Sequence, residues 1–201
     1  MTATRILPQQ VGELRARTGA GMMDCKRALE EAQGDMDHAV EILRKKGIAK
    51  ADKRSGKSVG QGLVMSYIHH NGQVGVLLEL NCETDFVART DDFRDLARDI
   101  ALHIASADPM GITEADIPED LVATERRLAE EQAAAEGKPE HIRSKIVDGK
   151  IKKFVAERTL LEQQFVKDDS KTVSQLIKEA SGTLGEAISV RRFARFRIGE
   201  G

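Results

Sequence analysis

Asn71-Gly72 lies between two strand-like runs, Gly-Leu-Val-Met-Ser-Tyr-Ile-His-His at 62–70 and Gln-Val-Gly-Val-Leu-Leu-Glu-Leu-Asn at 73–81. A two-residue hairpin turn needs positive φ at both central positions, and Asn-Gly meets that need at least cost. The pair therefore predicts a β-hairpin and commits the middle of the chain to a sheet. Residues 187–198 supply a third strand. Ile188, Val190, Ala194, Phe196 and Ile198 fall on one face, and Ser189, Arg191, Arg195 and Arg197 on the other. Arg192 and Phe193 interrupt the alternation, and the outer face is expected to be largely cationic.

The rest of the chain carries helical periodicity. Helix one is predicted from Pro8, a good first-turn residue, with Val11 and Leu14 inward, and it stops at Thr18-Gly19-Ala20-Gly21. Cys25, Ala28, Leu29 and Ala32 make the stripe of helix two, which Gly34 ends. Asp35 is the expected N-cap of helix three, with Ala39, Val40 and Leu43 inward. Lys45 and Lys46 fall in its last turn and Gly47 beyond. Residues 44–57 then hold seven cations (Arg44, Lys45, Lys46, Lys50, Lys53, Arg54, Lys57) against Asp52 alone. This is either a solvated linker or helix extension, or an electrostatic contact with an acidic or nucleic-acid partner. Residues 92–107 form an amphipathic helix with Phe93, Leu96, Ile100, Ile104 and Ala107 on its apolar side. Residues 117–136 are a long charged helix whose Leu121, Leu128 and Ala135 stripe either projects or packs thinly. Pro139 opens another helix that Gly149 is expected to divide, with Ile142, Ile146, Ile151, Phe154 and Val155. Residues 160–166 suit an extended connector, and 172–180 a short helix. The fold class is α+β: three N-terminal helices, then a three-stranded antiparallel sheet with packed helices. The predicted divisions are 1–50, a basic linker at 51–60, and a core at 61–201 with a helical excursion at about 117–157.

Composition narrows the function. Aromatics make up 3% of the 201 residues, Trp is absent and the net charge is −2. A base-stacking nucleic-acid binder would carry more of both rings and positive charge, so no direct nucleic-acid role is expected. No apolar run approaches the ~20 residues that span a bilayer, and the N-terminus lacks the apolar stretch of a signal peptide. The expected compartment is the cytoplasm. No two His stand at i, i+4, there is no CxxC, and no phosphate-loop or dinucleotide glycine pattern occurs. Neither a metal, nor a cofactor, nor a catalytic group is expected. Cys82 is read as a small buried hydrophobe rather than a thiol nucleophile.

Two segments are unusual. In Glu79-Leu-Asn-Cys-Glu-Thr-Asp-Phe-Val-Ala-Arg89, acidic residues lead into Phe86. Phe86 is either core, or a wedge with Asp85 beside it that could enter a partner's crevice and disturb a cation or phosphate site. In Leu14-Arg-Ala-Arg-Thr-Gly-Ala-Gly-Met-Met-Asp-Cys-Lys-Arg-Ala-Leu29, Met22 and Met23 either cap the three-helix core or present an adaptable surface.

Both segments closely resemble the elongation factor Ts family, through Leu14-Arg15-x-x-Thr18-Gly19-Ala20-Gly21-Met22-Met23-Asp24-Cys25-Lys26 and the whole of residues 79–89. Gly137-Lys138-Pro139, Lys152-Lys153-Phe154, Ser170-Lys171-Thr172-Val173 and Gly199-Glu200-Gly201 add to it. The resemblance implies a ubiquitin-associated-like N-terminal domain and a dimerisation-type core. It implies nucleotide exchange on elongation factor Tu, without catalysis, and with no cofactor. Thr84, Asp85, Phe86 and Val87 would enter beside the partner's nucleotide site. Phe86 would wedge between two helices, and Asp85 would help dislodge Mg²⁺. Arg15, Met22 and Met23 would grip the same GTPase domain. Longer members carry a second core half and a C-terminal module, so this single-core form is expected to pair as a homodimer. Gln164 stands where Pro is expected, which loosens the connector.

Overall fold

The computed structural model describes residues 6–54, 56–136 and 139–200. Gly137, Lys138 and Gly201 of the family-like motifs, and Ser55 of the basic stretch, lie outside them. The chain is α+β, with a three-stranded sheet ordered β1-β2-β5 and a two-stranded sheet β3-β4. It divides into two compact units. One holds the chain up to Val64 with Glu79–Ala97 and Gln175–Arg191, and the other holds Met65–Leu78, Arg98–Ser174 and Arg192 onward.

The first unit begins with three helices, α1 (Pro8–Thr18), α2 (Met22–Glu31) and α3 (Met36–Arg54). Pro8 occupies the first turn, and Gln10 Oε1 accepts from the Leu7 N–H at 2.9 Å. Gly19, at φ 66°, ends α1 with its N–H on the Arg15 carbonyl. Asp35 Oδ1 accepts the His38 N–H at 2.9 Å, so the predicted cap of α3 is in place. Val11, Leu14, Cys25, Ala28, Leu29, Ala32, Ala39 and Ile42 form one buried cluster. Leu14 and Leu29 are fully buried, each worth about 1.5–3 kcal/mol.

The expected stop of α3 at Gly47 and the expected start of the linker at residue 51 are corrected: the helix continues to Arg54. The glycine instead marks a crossing with α8 (Val173–Leu184). A Cβ on Gly182 would lie 2.6 Å from the Gly47 Cα, so the two backbones meet with no side chain between them. Ion pairs flank the crossing, Arg44 with Glu179 and Lys178 with Asp52.

The hairpin joins β1 (Gln61–Ile68) to β2 (Val74–Cys82). Its loop is longer than the predicted two residues. The His69 N–H donates to the Val74 carbonyl and the Gly72 N–H to the His69 carbonyl. Among the turn residues only Gly72 has positive φ, at 69°. This is a four-residue loop built on an ordinary turn, with one left-handed residue instead of two. Val76, Leu78, Leu80 and Cys82 line the buried face of β2.

A one-turn helix α4 (Asp85–Ala88) leads into α5 (Asp91–Ala107), whose Phe93, Leu96, Ile100 and Ile104 are buried as predicted. His103 is buried with them, which periodicity did not single out. Its Nδ1 accepts the Val166 N–H at 3.2 Å, so its Nε2 carries the hydrogen and donates to Gln163 Oε1 at 2.9 Å. Burial lowers its pKa and keeps the ring neutral.

In the second unit, α6 (Glu119–Ala135) and α7 (Glu140–Arg158) pack as a helical hairpin. The predicted stripe of Leu121, Leu128 and Ala135 is not the packed one: Leu128 is exposed. Ala129 and Ala133 are buried instead, with Ile117, Val147, Ile151 and Val155. Alanines at i, i+4 allow close helix approach, which a heptad of larger residues does not signal. Gly149 does not divide α7. The predicted connector contains β3 (Gln164–Phe165), which pairs antiparallel with β4 (Asp168–Thr172). Gln164 sits opposite Thr172 in that register.

The third strand is β5 (Ile188–Arg197). Its expected cationic outer face is corrected beyond residue 191. Arg191 and Arg192 are both exposed, and the burial alternation changes phase there. The Arg195 side chain is only 9% exposed and pairs with Asp108 at 3.0 Å and Glu200 at 2.8 Å. Phe196 and Ile198 take the outer side, 68% and 75% exposed. They line a shallow groove with Ser66, Ile68, Gly75 and Leu77.

Candidate partner-binding turn and its carboxylate clamp

Strand β2 ends on Cys82, which is fully buried. Its Sγ donates to the Thr84 carbonyl at 3.1 Å. Burial, and then the nearby Glu186 charge, push the thiol pKa up, so this sulfur is a packing atom and not a ready nucleophile. Thr84 is extended, at φ −127°, and caps α4 by accepting the Val87 N–H on its hydroxyl at 3.4 Å. Ala88 is buried and anchors the far side of the turn. Between those anchors Phe86 stands 79% exposed. Of its two possible roles, core is therefore excluded. Asp85 is half exposed and pairs with Arg89 at 2.8 Å, one turn on.

A single helical turn is not stable by itself, because nucleation fixes several residues for one hydrogen bond. Two carboxylates supply what the turn lacks. Glu186 Oε2 accepts the Thr84 N–H at 3.0 Å, and its Oε1 accepts the Thr84 hydroxyl at 2.6 Å. Glu83 answers in the other direction, its Oε1 accepting the Ala187 N–H at 2.7 Å. The ends of β2 and the start of β5 thus exchange carboxylates. Glu83 also receives Arg54 at 3.1 Å and Lys57 at 2.9 Å. The Ala187 N–H, followed by Lys57 and Arg54, pulls its carboxyl down to about 2, so it stays ionised at neutral pH. The sequence marks Glu83 only as one of the acidic residues leading into Phe86, and it does not mark Glu186. Glu186 lies 102 residues from Thr84, and only its place after a glycine at the start of a strand was visible.

On the N-terminal helices, Arg15 is exposed on α1, and Met22 and Met23 open α2 at 52% and 62% exposure. The methionines are therefore surface, not a cap over the core. Six of the seven cations predicted as a basic run are matched within the chain. Besides Arg54 and Lys57, Arg44 meets Glu179, Lys45 Glu41, Lys46 Glu31 and Lys50 Asp24. Among the described residues no group of three His, Cys, Asp or Glu side chains is placed to hold a metal ion. No described helix is long and apolar enough to cross a membrane.

A family model described as elongation factor TS matches residues 8–200. An elongation factor Ts of Fervidobacterium nodosum is 52% identical over 195 residues, covering 97% of this chain and 99% of that protein. Those of Moorella thermoacetica and Desulfitobacterium hafniense are 53% and 54% identical, covering 98% and 96% of this chain and 97% and 88% of theirs. The α+β fold is thus that of a translation elongation factor. The chain belongs to the elongation factor Ts family.

Proposed function

We propose that this chain is the guanine-nucleotide exchange factor for elongation factor Tu, acting in the cytoplasm by binding and not by catalysis. It takes the GDP-bound partner, brings the turn of Thr84, Asp85, Phe86 and Val87 to the nucleotide site, displaces the partner's Mg²⁺ and releases GDP. The observation that carries the reading is the exposure of Phe86 on a turn that the rest of the chain holds still. Family membership supports the choice of partner. The three N-terminal helices, in a ubiquitin-associated-like arrangement, supply the grip through Arg15, Met22 and Met23. The chain beyond Arg54 leads from them into β1 at Gln61.

Exchange is a coupling between two ligands of one protein: what this chain does to GDP affinity, GDP does in equal measure to its own. Each tenfold gain needs about 1.4 kcal/mol of differential interaction. Burying one Phe supplies roughly 1.5–3 kcal/mol, or one to two decades. Further acceleration comes from the disturbed Mg²⁺ site, with the N-terminal grip offsetting the cost. The direct test is release of labelled GDP from elongation factor Tu. Added chain should accelerate it many-fold. Release at the spontaneous rate would sink the reading.

The proposed partners include a second copy of this chain and no nucleic acid. The apolar groove of Ile68, Leu77, Phe196 and Ile198 supports the pair, because a two-fold contact would bury the same patch twice. Internal pairing of the basic run argues against a polyanion partner. Phe196→Asp should shift the chain from dimer to monomer by sedimentation. A mass unchanged from wild type, whatever that mass is, would rule this face out.

A further inference from the structure

We propose that Glu186 is a positioning residue for nucleotide exchange, acting through Thr84 to hold the exposed turn in its working shape. This rests on the exchange reading above. The hydroxyl of Thr84 has one hydrogen and two lone pairs. Glu186 Oε1 takes the hydrogen at 2.6 Å, which turns a lone pair toward the Val87 N–H at 3.4 Å. Glu186 Oε2 takes the Thr84 N–H at 3.0 Å. One carboxylate therefore fixes both the backbone entering the turn and the rotor that caps it.

The glutamate is itself held. Its carbonyl accepts the Ser181 hydroxyl at 2.5 Å from α8. The next residue, Ala187, gives its N–H to Glu83 at 2.7 Å. Glu83 in turn takes Arg54 at 3.1 Å and Lys57 at 2.9 Å. A chain of hydrogen bonds thus runs from the end of α3 through Glu83 and the Glu186-Ala187 backbone to Thr84. Carboxylate-accepted hydrogen bonds are the stronger kind, and a four-residue helix has little order of its own. With Glu186 gone, the Thr84 hydroxyl is free to rotate and Phe86 loses its fixed direction. The binding surfaces of the three N-terminal helices are untouched.

The test uses the full chain as Glu186→Ala and Glu186→Gln. Glutamine keeps one acceptor and turns a donor toward the other Thr84 group, so it should fall between alanine and wild type. Three quantities are measured: maximal GDP release from elongation factor Tu at saturating factor, affinity for nucleotide-free elongation factor Tu, and amide hydrogen exchange of Val87 in the free chain. For Glu186→Ala we expect maximal release about tenfold lower, affinity within about twofold of wild type, and Val87 exchange at least tenfold faster. Wild-type maximal release, or a Val87 amide as protected as in wild type, would overturn the proposal. So would a proportional loss of rate and affinity, which is the mark of general destabilisation. If wild type itself leaves GDP release unchanged, the exchange reading fails. The Val87 amide then decides by itself whether Glu186 orders the turn.

Discussion

Phe86→Ala is expected to cut the stimulated release of GDP by roughly ten- to a hundredfold while leaving the free chain folded as before. The side chain is 79% exposed, so truncation removes almost no internal packing, and surface changes of this kind stay within about 0.5 kcal/mol. The loss falls on the complex. A Phe buried in a partner supplies roughly 1.5–3 kcal/mol, which at about 1.4 kcal/mol per decade is one to two decades. Binding carried by Arg15, Met22 and Met23 should remain. Stopped-flow release of a fluorescent GDP gives the rate, and calorimetry with nucleotide-free elongation factor Tu gives the affinity. A mutant that exchanges at the wild-type rate would remove the wedge from the mechanism.

Gly182→Ala is expected to destabilise the chain by about 3 kcal/mol, whereas Gly47→Ala should be neutral or mildly stabilising. Both glycines lie inside helices, where alanine is favoured by roughly 0.5–1 kcal/mol. Their surroundings differ. A Cβ on Gly182 would lie 2.6 Å from the Gly47 Cα, 2.7 Å from its O and 2.8 Å from its C, all backbone atoms that cannot rotate away. A Cβ on Gly47 would meet only the Gly182 Cα, at an ordinary 3.8 Å. The asymmetry follows because each Cα–Cβ bond has a fixed direction on its helix. For a chain of this size, 3 kcal/mol corresponds to a melting point lower by roughly 6–12 °C. Urea melts of the two single variants decide the matter, and equal midpoints would refute the close crossing.

The elements that could be read in advance have local causes. Pro8, Gly19 and Asp35 act on the backbone within one turn of themselves, and α1 and α3 begin or end where they dictate. The apolar stripe of α5 is periodic within one helix, so Phe93, Leu96, Ile100 and Ile104 were identifiable as core. Gly47 was misjudged because a helix-ending glycine and a helix-crossing glycine are the same residue in sequence. They differ only in what lies across from them. The outer face of β5 was misjudged because Arg195 is nearly buried between Asp108 and Glu200, partners that no pattern within the strand reveals. The packed face of α6 escaped for a similar reason: alanine is as common on a surface as in a tight interface.

The turn of Thr84, Asp85, Phe86 and Val87 shows the same boundary most clearly. By itself the sequence determined the turn's chemistry, a hydroxyl, a carboxylate and an aromatic, because those follow from residue identity. It also determined the family, through motifs long enough to be specific. Whether Phe86 faces core or solvent was decided by the tertiary structure alone, since exposure depends on what the fold lays over a residue. The same holds for Glu186. Its two oxygens reach Thr84 across 102 residues of chain. Hydrogen bonds of that span exist only once β2 and β5 stand in one sheet.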